Sequence, residues 1–284
     1  MNLPAICSEQ DAFSILELDQ IPQLASWLGL ELKHQANIKL IRKLLDSLVT
    51  DLSAQASGLV LDPIYSLDAI AAKAARTGTL LRLTALQEQV DPLATPVLIP
   101  HWSVEDIENN YSLAKLELYY HPAEQKALEK KQLVAELADY CDYLDIDFVL
   151  KLVVYTPADR EYDQTEFQAD QLQAIEEFRS FVDLFALQDP QTPLAAATIT
   201  AELDQPWVLY SQGQEYEQYK EVLRICLENG ASGYWAGDSL WQEIAQFKQQ
   251  DQSPDLEKIN QFIATTVRDR VIELTRIADE LGSD

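Results

Sequence analysis

Short apolar runs alternate along this chain with segments whose apolar residues recur at helical spacing. The runs are rich in aliphatic and β-branched residues, as expected of strands buried on both faces. Alternation of strands and helices is typical of a parallel sheet. Eight strands favour a closed (β/α)8 TIM barrel, an α/β fold that residues 1–284 would build as a single domain. The predicted strands are residues 13–19, 57–62, 79–84, 113–120, 148–155, 182–188, 206–211 and 232–237.

The segments between the strands predict helices. Residues 33–55 carry leucine, isoleucine and valine on one stripe at helical spacing. Ser103 stands three residues before Asp106, which is typical of a capped helix start, and another helix is expected over residues 123–143. The tail, residues 255–281, predicts an additional C-terminal amphipathic helix that either closes the barrel or meets a partner.

The net charge excludes two large classes of partner. The chain has a formal charge of −26 and no cluster of lysine and arginine to offset it. This charge repels phosphate backbones and anionic lipid heads, so we expect neither a nucleic acid nor a membrane as partner. No apolar stretch approaches the roughly 20 residues of a spanning helix. The sequence leaves a homo-oligomer or a protein partner open.

The cysteines and histidines give no sign of a disulfide framework or a metal site. Cys7, Cys141 and Cys226 are scattered and lack CxxC spacing, which suits a reducing compartment. The N-terminus has no basic region followed by an apolar core, so we expect a cytoplasmic protein. The three histidines are far apart in sequence, and we expect no metal ligands among them.

Alternation within the strands places several ionisable residues inside the predicted barrel. Side chains two residues apart share one face of a strand, so Glu17 points with Asp19 and Lys115 points with Glu117. Lys151 lies in the middle of the apolar run DFVLKLVVY. Barrel interiors are normally layered with valine, isoleucine and leucine, so these charges need either pairing or a function.

Seven segments of the chain carry a resemblance to a known family. In order and spacing they are AFSILELDQ, ASGLVLDPIYS, HWSVEDIENNYSLAKLELYYHP, YCDYLDIDFVLKLVVY, VDLFALQDP, WVLYSQG and ASGYWAGDSLW. They resemble the tagatose-1,6-bisphosphate aldolases, a family of class I aldolases. The resemblance implies a β/α barrel and reversible carbon–carbon cleavage of a ketose bisphosphate through a Schiff base with lysine. It implies no cofactor and no metal.

Several residues match positions that this family uses. Asp19 matches the first-strand aspartate and Lys115 the fourth-strand lysine, and with Lys151 they are the candidate catalytic residues. "YSQG" resembles the family's seventh-strand phosphate loop. The candidate ligand-binding residues are Glu17, Asp62, Ser211, Gly213 and Gly237.

Other family positions are changed. Lys151 aligns with the glutamate that the family uses for proton transfer, and Ala186 stands in the place of the Schiff-base lysine. No lysine occurs between Lys151 and Lys220, so none replaces it on the sixth strand. Asp238 replaces the eighth-strand arginine that holds a phosphate in the family. Such an exchange is expected to weaken binding of a phosphodianion by about 2–5 kcal/mol, which argues against a bisphosphate substrate.

Three interpretations of Lys151 follow. In the first, it is a Schiff-base nucleophile that has moved to the fifth strand. In the second, it belongs to a buried ionic cluster with Lys115 and the nearby acids. In the third, it binds an anionic ligand. A Schiff base needs the neutral amine, and a lysine with the ordinary pKa of about 10.4 is neutral in about one molecule in a thousand near neutral pH. Desolvation would lower that pKa and carboxylates in the same layer would raise it, which favours pairing.

Two functions are therefore considered. The first is a divergent aldolase-like lyase of carbohydrate metabolism that cleaves an unphosphorylated or singly phosphorylated ketose, with Lys151 or Lys115 as the amine and Asp19 as the acid–base group. The second is a catalytically silent aldolase-fold barrel that acts as a binding or scaffold protein. The small-molecule ligand expected in either case is a sugar or a sugar phosphate.

Overall fold

The computed structural model describes residues 3–157 and 163–282. Eight parallel strands, β1 to β8, close into a barrel in sequence order, and β8 pairs with β1. The predicted TIM barrel and all eight predicted strands are confirmed. The strands are Phe13–Glu17, Gly58–Leu61, Gly78–Arg82, Leu113–Tyr120, Phe148–Val154, Leu184–Leu187, Trp207–Tyr210 and Gly233–Ala236.

Helices surround the barrel. The predicted helix at 33–55 is helix α2 followed by a 3-10 turn, and the one predicted at 123–143 starts later, at Ala127. The α-helices α1 to α10 are Ile21–Leu28, Gln35–Leu52, Val104–Asn109, Ala127–Tyr143, Gln164–Phe178, Pro193–Glu202, Tyr216–Leu227, Asp238–Trp241, Leu256–Phe262 and Arg268–Leu281. Short 3-10 helices lie at Leu3–Ile6, Ser53–Gln55, Leu67–Ala72 and Gln242–Gln246, and a π-helical turn, Ile263–Val267, joins α9 to α10.

The helix ends follow local sequence signals. Ser103 accepts the N–H of Asp106, whose carboxylate in turn accepts the N–H of Ser103, so the predicted cap of α3 is a complete capping box. The predicted C-terminal helix is also confirmed. Helix α10 lies against α7 and against strands β1 and β8, where the first and last strands of the barrel meet.

The amino-terminal end of the barrel is closed by apolar side chains. Ile6, from the first 3-10 helix, packs with Phe13, Ile15, Val60 and other inward-facing residues in one buried cluster. Gly78 permits the close approach of that helix, because a Cβ there would lie 2.1 Å from the carbonyl oxygen of Ala5. The chemistry of the interior is therefore confined to the other end of the strands, as is usual for this fold.

A long loop follows β3 at that other end. Residues 83–103 fold back as a hairpin in which Thr84 and Leu98 form an antiparallel bridge and the N–H of Ala85 donates to the carbonyl of Val97, 2.7 Å away. Within the described residues, no helix is long and apolar enough to cross a membrane.

Candidate functional site

The candidate catalytic residues meet at the carboxyl ends of the first five strands. Glu17 ends β1 and Asp19 follows it by two residues, while Lys115 and Glu117 share the inner face of β4. In the sheet, Lys151 pairs with Glu117 on one side and with Ala186 on the other. The alternation of strand faces thus brings together the charges that the sequence placed inside the barrel.

Lys151 points into the barrel and is paired. Its Nζ lies 2.6 Å from Oε1 of Glu17 and 3.8 Å from Oε2 of Glu117. It also lies 4.7 Å from the centroid of the Tyr210 ring, a cation–π contact. Only 6% of its side chain is exposed. Of the three interpretations of Lys151, the geometry matches membership of a buried ionic cluster.

Lys115 is buried among three carboxylates. Its Nζ lies 2.9 Å from Oδ2 of Asp19, 3.1 Å from Oε2 of Glu117 and 3.8 Å from Oε1 of Glu17. The side chain of Gln20 covers this group, because its Nε2 donates to Glu17 at 3.2 Å and to Glu117 at 3.4 Å. Both ammonium groups therefore donate hydrogen bonds to acids of the chain itself.

Arg82, on β3, is a third buried cation, to which the sequence patterns gave no role. Its Nη1 lies 3.6 Å from Oδ2 of Asp19, and its Nε lies 3.9 Å from Oδ2 of Asp62. The alternation of strand faces could have predicted that Arg82 points inward, because it follows the inward-facing Leu80 by two residues. The seven charged side chains, called the ionic cluster below, are Glu17, Asp19, Asp62, Arg82, Lys115, Glu117 and Lys151.

Asp62 differs from the other acids of the ionic cluster. Its Oδ1 accepts the backbone N–H groups of Ile64 and Tyr65, at 2.7 and 2.9 Å. Its buried Oδ2, like Oδ1 of Asp19, has no hydrogen-bond partner among the described residues. Burial raises the pKa of Asp62, and the guanidinium of Arg82 only partly opposes this effect. The predicted ligand-binding residue thus lies beneath Arg82, fully buried.

Opposite charges shift the pKa values of Lys151, Asp19 and Glu117. Burial alone would lower the pKa of Lys151, but Glu117 and Glu17 raise it above its ordinary value. Burial would raise the pKa of Asp19 and Glu117, but nearby cations, Lys115 for the first and Lys151 and Lys115 for the second, hold both pKa values below their ordinary range. The ammonium of Lys151 therefore stays protonated, and its neutral form is rarer than in a free lysine.

The predicted phosphate loop is occupied by a carboxylate of the chain. Oδ1 of Asp238 accepts the hydroxyl of Ser211 and the N–H of Ser239, both at 2.8 Å. The N–H of Gly237 donates to the Ser211 hydroxyl at 3.2 Å, and a Cβ added at Gly213 would lie 3.3 Å from Oδ2 of Asp238. An internal anion thus lies where these groups would otherwise meet a bound one.

Other polar residues lie apart from the ionic cluster. His121 follows β4, and its Nε2 lies 3.1 Å from Oδ2 of Asp170 while its Nδ1 accepts the N–H of Ala123. Cys141 and Cys226 are buried, on helices α4 and α7. Among residues 3–157 and 163–282, no group of three or more His, Cys, Asp or Glu side chains is arranged to hold a metal ion.

A closed parallel barrel with helices outside it and ionisable side chains at the carboxyl ends of its strands defines the class of β/α-barrel proteins. No family model matches the chain. It is 26% identical over 271 residues to tagatose 1,6-diphosphate aldolase 2 of Enterococcus faecalis, covering 83% of this chain and 81% of the relative. It is 23% identical over 277 residues to the tagatose 1,6-diphosphate aldolase of Staphylococcus aureus, covering 86% and 85%.

Solved structures agree on the fold. An archaeal fructose 1,6-bisphosphate aldolase superposes with a TM-score of 0.65 at 14% identity, over 97% of this chain and 96% of its own. The fructose-bisphosphate aldolase of Plasmodium falciparum gives a TM-score of 0.70 at 11% identity, over 98% and 93%. The chain is a divergent relative of the tagatose 1,6-bisphosphate aldolases, and the resemblance drawn from its sequence is confirmed.

Proposed function

We propose that this chain is a catalytically silent, single-domain barrel of the aldolase lineage that acts in the cytoplasm as a sugar-binding or scaffold protein. The observation that carries the proposal is the 2.6 Å contact between Nζ of Lys151 and Glu17. It places the candidate nucleophile in an ion pair, where the amine is protonated and unable to attack a carbonyl.

The second candidate amine is no better suited. Lys115 is fully buried and lies within 3.1 Å of both Asp19 and Glu117. The sixth strand, Leu184–Leu187, has no lysine, and its inward-facing Ala186 packs in an apolar cluster. These contacts support the loss of Schiff-base chemistry rather than its transfer to another strand.

The phosphate end of the site supports the same proposal. The carboxylate of Asp238 accepts hydrogen bonds from the Ser211 hydroxyl and the Ser239 N–H, which would otherwise be free to bind a phosphate. A second anion at this place would meet a carboxylate at close range without a new cation to pair with it. We therefore infer that neither a ketose bisphosphate nor dihydroxyacetone phosphate is bound productively.

Borohydride trapping tests the proposal. Borohydride reduces the imine between a lysine and a ketose to a secondary amine, so a Schiff base becomes a permanent gain in protein mass. The protein is incubated with dihydroxyacetone phosphate and a panel of ketoses, reduced, and weighed. We expect no adduct, because the ammonium groups of Lys115 and Lys151 are held by acids.

The positive control is the archaeal fructose-1,6-bisphosphate aldolase that has been solved with its catalytic lysine covalently bound to the carbinolamine intermediate of the substrate. A mass gain in the present protein that disappears in Lys151→Ala or in Lys115→Ala would overturn the proposal. That result would instead establish a divergent lyase with Asp19 as its acid–base group, because Asp19 contacts Lys115 at 2.9 Å.

A further inference from the structure

A cavity lies beside the barrel axis, between helix α1, the loop 83–103 and the end of β4. Its volume is about 340 Å³, near the lower end of the range for small-molecule sites. The cavity meets the ionic cluster at Arg82 and Glu117, and Gln20, Thr84 and Tyr119 complete this polar wall. A ligand in the cavity would thus contact the cluster from the side while the paired lysines remain covered.

Arg82 has hydrogen-bonding capacity left for such a ligand. A guanidinium carries five N–H groups. Nε of Arg82 donates to the carbonyl of Thr84, Nη1 to the carbonyl of Asp19 and Nη2 to the hydroxyl of Thr84, at 2.8, 3.0 and 3.2 Å. The side chain makes no other hydrogen bond within the described part of the chain, although it is only 8% exposed. Two of its five N–H groups thus make no hydrogen bond within these residues, and the nearest carboxylate oxygen beyond those bonds, Oδ2 of Asp19, lies 3.6 Å from Nη1.

The charges around the cavity select against phosphates. Arg82 is the one cationic side chain among the lining residues, and it faces three acidic ones, Glu88, Asp91 and Glu117. Arg82 is also close to the carboxylates of Asp19 and Asp62, which reduces the positive potential that it offers. A phosphodianion entering here would be repelled. A neutral ligand would not be.

The rim of the cavity is apolar and exposed. Val90 and Val97 are 47% and 57% exposed, and both line the cavity together with Leu86. An apolar rim above a polar wall fits a molecule that has C–H groups on one side and hydroxyl groups on the other.

The wall formed by the loop is held in place from outside. Nζ of Lys130, on helix α4, donates to the carbonyl of Pro92 at 2.6 Å, and the hydroxyl of Thr95 donates to Glu129 at 2.5 Å. Lys130 also donates to the carbonyl of Tyr119, at 2.7 Å, so one buried ammonium ties the loop to the end of β4. The cavity is therefore built before a ligand arrives, which lowers the entropic cost of binding.

We propose that this cavity binds an uncharged polyhydroxylated molecule of about the size of a hexose or a hexitol. Its hydroxyl groups accept from Arg82 and donate to the carboxylate of Glu117, and its C–H groups lie on Val90 and Val97. The inference rests on the proposed function in one respect: the lysines are engaged in pairs, so the ligand is held by hydrogen bonds alone.

Hexitols test this proposal separately from the chemistry, because a hexitol has no carbonyl and forms no Schiff base. Galactitol and sorbitol, their 6-phosphates and the parent hexoses are titrated into the protein and followed by calorimetry and ligand-observed NMR. We expect neutral members to bind at least about tenfold more tightly than their phosphates. In Ala94→Trp the indole fills the cavity from the loop, and we expect binding to be lost.

Leu194→Trp is the matched control, because Leu194 is 79% exposed on helix α6 and does not line the cavity. It should bind like the parent, and both variants should unfold at about the parent's temperature. Three results would overturn the proposal: no binding of any neutral member, tighter binding of the phosphates, or binding that Ala94→Trp leaves unchanged. None of these concerns a borohydride adduct, so the proposed loss of catalysis succeeds or fails independently.

Discussion

The two arcs of the barrel interior differ in charge. Strands β1 to β5 and the residues directly after them supply the whole ionic cluster, whereas β6, β7 and β8, with sequences LFAL, WVLY and GYWA, contain no charged residue. The second arc presents Ala186, Val208, Tyr210 and Trp235 to the interior, all in the apolar cluster that also fills the base of the barrel. One barrel thus combines an ionic arc with an apolar one.

The difference shows how buried charges are tolerated. An isolated ammonium inside a protein costs several kcal/mol, whereas charges that lie within about 4 Å of opposite partners offset much of that cost. Each cation of the ionic arc has an acid within 4 Å, and Lys115 has three. A lone lysine on the apolar arc, at Ala186, would depend on partners reaching across from the other strands.

The two arcs also differ in how their residues compare with the family that the sequence resembles. By resemblance, the family's nucleophile belongs on the arc that is now apolar, and its supporting charges belong on the arc that is still ionic. On this resemblance the apolar arc lacks a cation at Ala186, whereas Lys151 supplies one on the ionic arc, beside Glu17. Each acid of the ionic arc therefore lies within 4 Å of a cation of the same arc.

Reversing the charge at Lys151 should have the largest effect. Lys151→Glu places a third carboxylate against Glu17 and Glu117, so we expect the free energy of unfolding to fall by more than about 3 kcal/mol. Lys151→Met is the matched control and should cost clearly less than Lys151→Glu, since it adds no like charge and Glu17 keeps Gln20 at 3.2 Å and Lys115 at 3.8 Å. Urea unfolding monitored by tryptophan fluorescence measures both.

A double variant sharpens this result. Ala186 is the neighbour of Lys151 across the β5–β6 pair, so Lys151→Glu combined with Ala186→Lys restores a cation beside the new acid. We expect the double variant to recover about 1 kcal/mol or more of the stability lost in Lys151→Glu. Equal and negligible losses in Lys151→Glu and Lys151→Met would contradict the ionic arc, because a solvated lysine tolerates both changes.

Two aspartates of the ionic arc should respond in opposite directions. Asp19 has a lowered pKa, so its contribution to stability is present above about pH 4, the value in the unfolded chain, and is lost as pH falls through the folded value. Asp19→Asn should therefore cost about 2 kcal/mol at neutral pH, because it removes the anion 2.9 Å from Lys115. The difference from the parent should shrink below about pH 4.

Asp62 has a raised pKa, so its ionisation costs stability as pH rises. An asparagine at Asp62 removes that cost and keeps an oxygen that accepts from Ile64 and Tyr65. We expect Asp62→Asn to be as stable as the parent or more stable by up to about 1 kcal/mol at neutral pH, with the gain shrinking in acid. Urea unfolding midpoints measured from pH 3 to 8 compare Asp19→Asn with Asp62→Asn. Equal losses of stability in both variants would contradict the opposite pKa shifts of the two aspartates.

Local sequence patterns were enough to predict the ionic arc in outline. The alternation in LAKLELYY and FVLKLVVY fixes which side chains face inward, because a strand has a period of two residues. The same alternation in TLLRLT places Arg82 beside Leu80, yet an arginine at a strand end is so often solvated that its sequence position alone did not single it out.

The cavity and the contact between Asp238 and Ser211 depend on interactions that no local pattern encodes. The loop 83–103 is positioned by Lys130, a residue that lies on a different helix and pairs with the carbonyl of Pro92. The Asp238 carboxylate reaches Ser211 across 27 positions of the chain. The sequence indicates which residue types are present at these places, but their meeting follows from how the barrel closes.

The end of the apolar arc offers a smaller test, at Asp238. Asp238→Ser removes the internal anion and leaves the Ser211 hydroxyl and the Ser239 N–H without their acceptor. We expect a loss of about 1 kcal/mol in the free energy of unfolding, the typical value for hydrogen bonds to a partly exposed group. We also expect inorganic phosphate to raise the melting temperature of this variant by about 1–2 °C relative to chloride at equal ionic strength.

Asp238→Glu is the matched control, because it retains the charge and should show no such response to phosphate. The parent protein should not respond either, since its own carboxylate occupies the position. A phosphate-dependent rise in the melting temperature of the parent would mean that an anion binds despite Asp238, and the apolar arc would then end in a working phosphate site. An unchanged Asp238→Ser variant would mean instead that this loop does not bind phosphate even without the carboxylate.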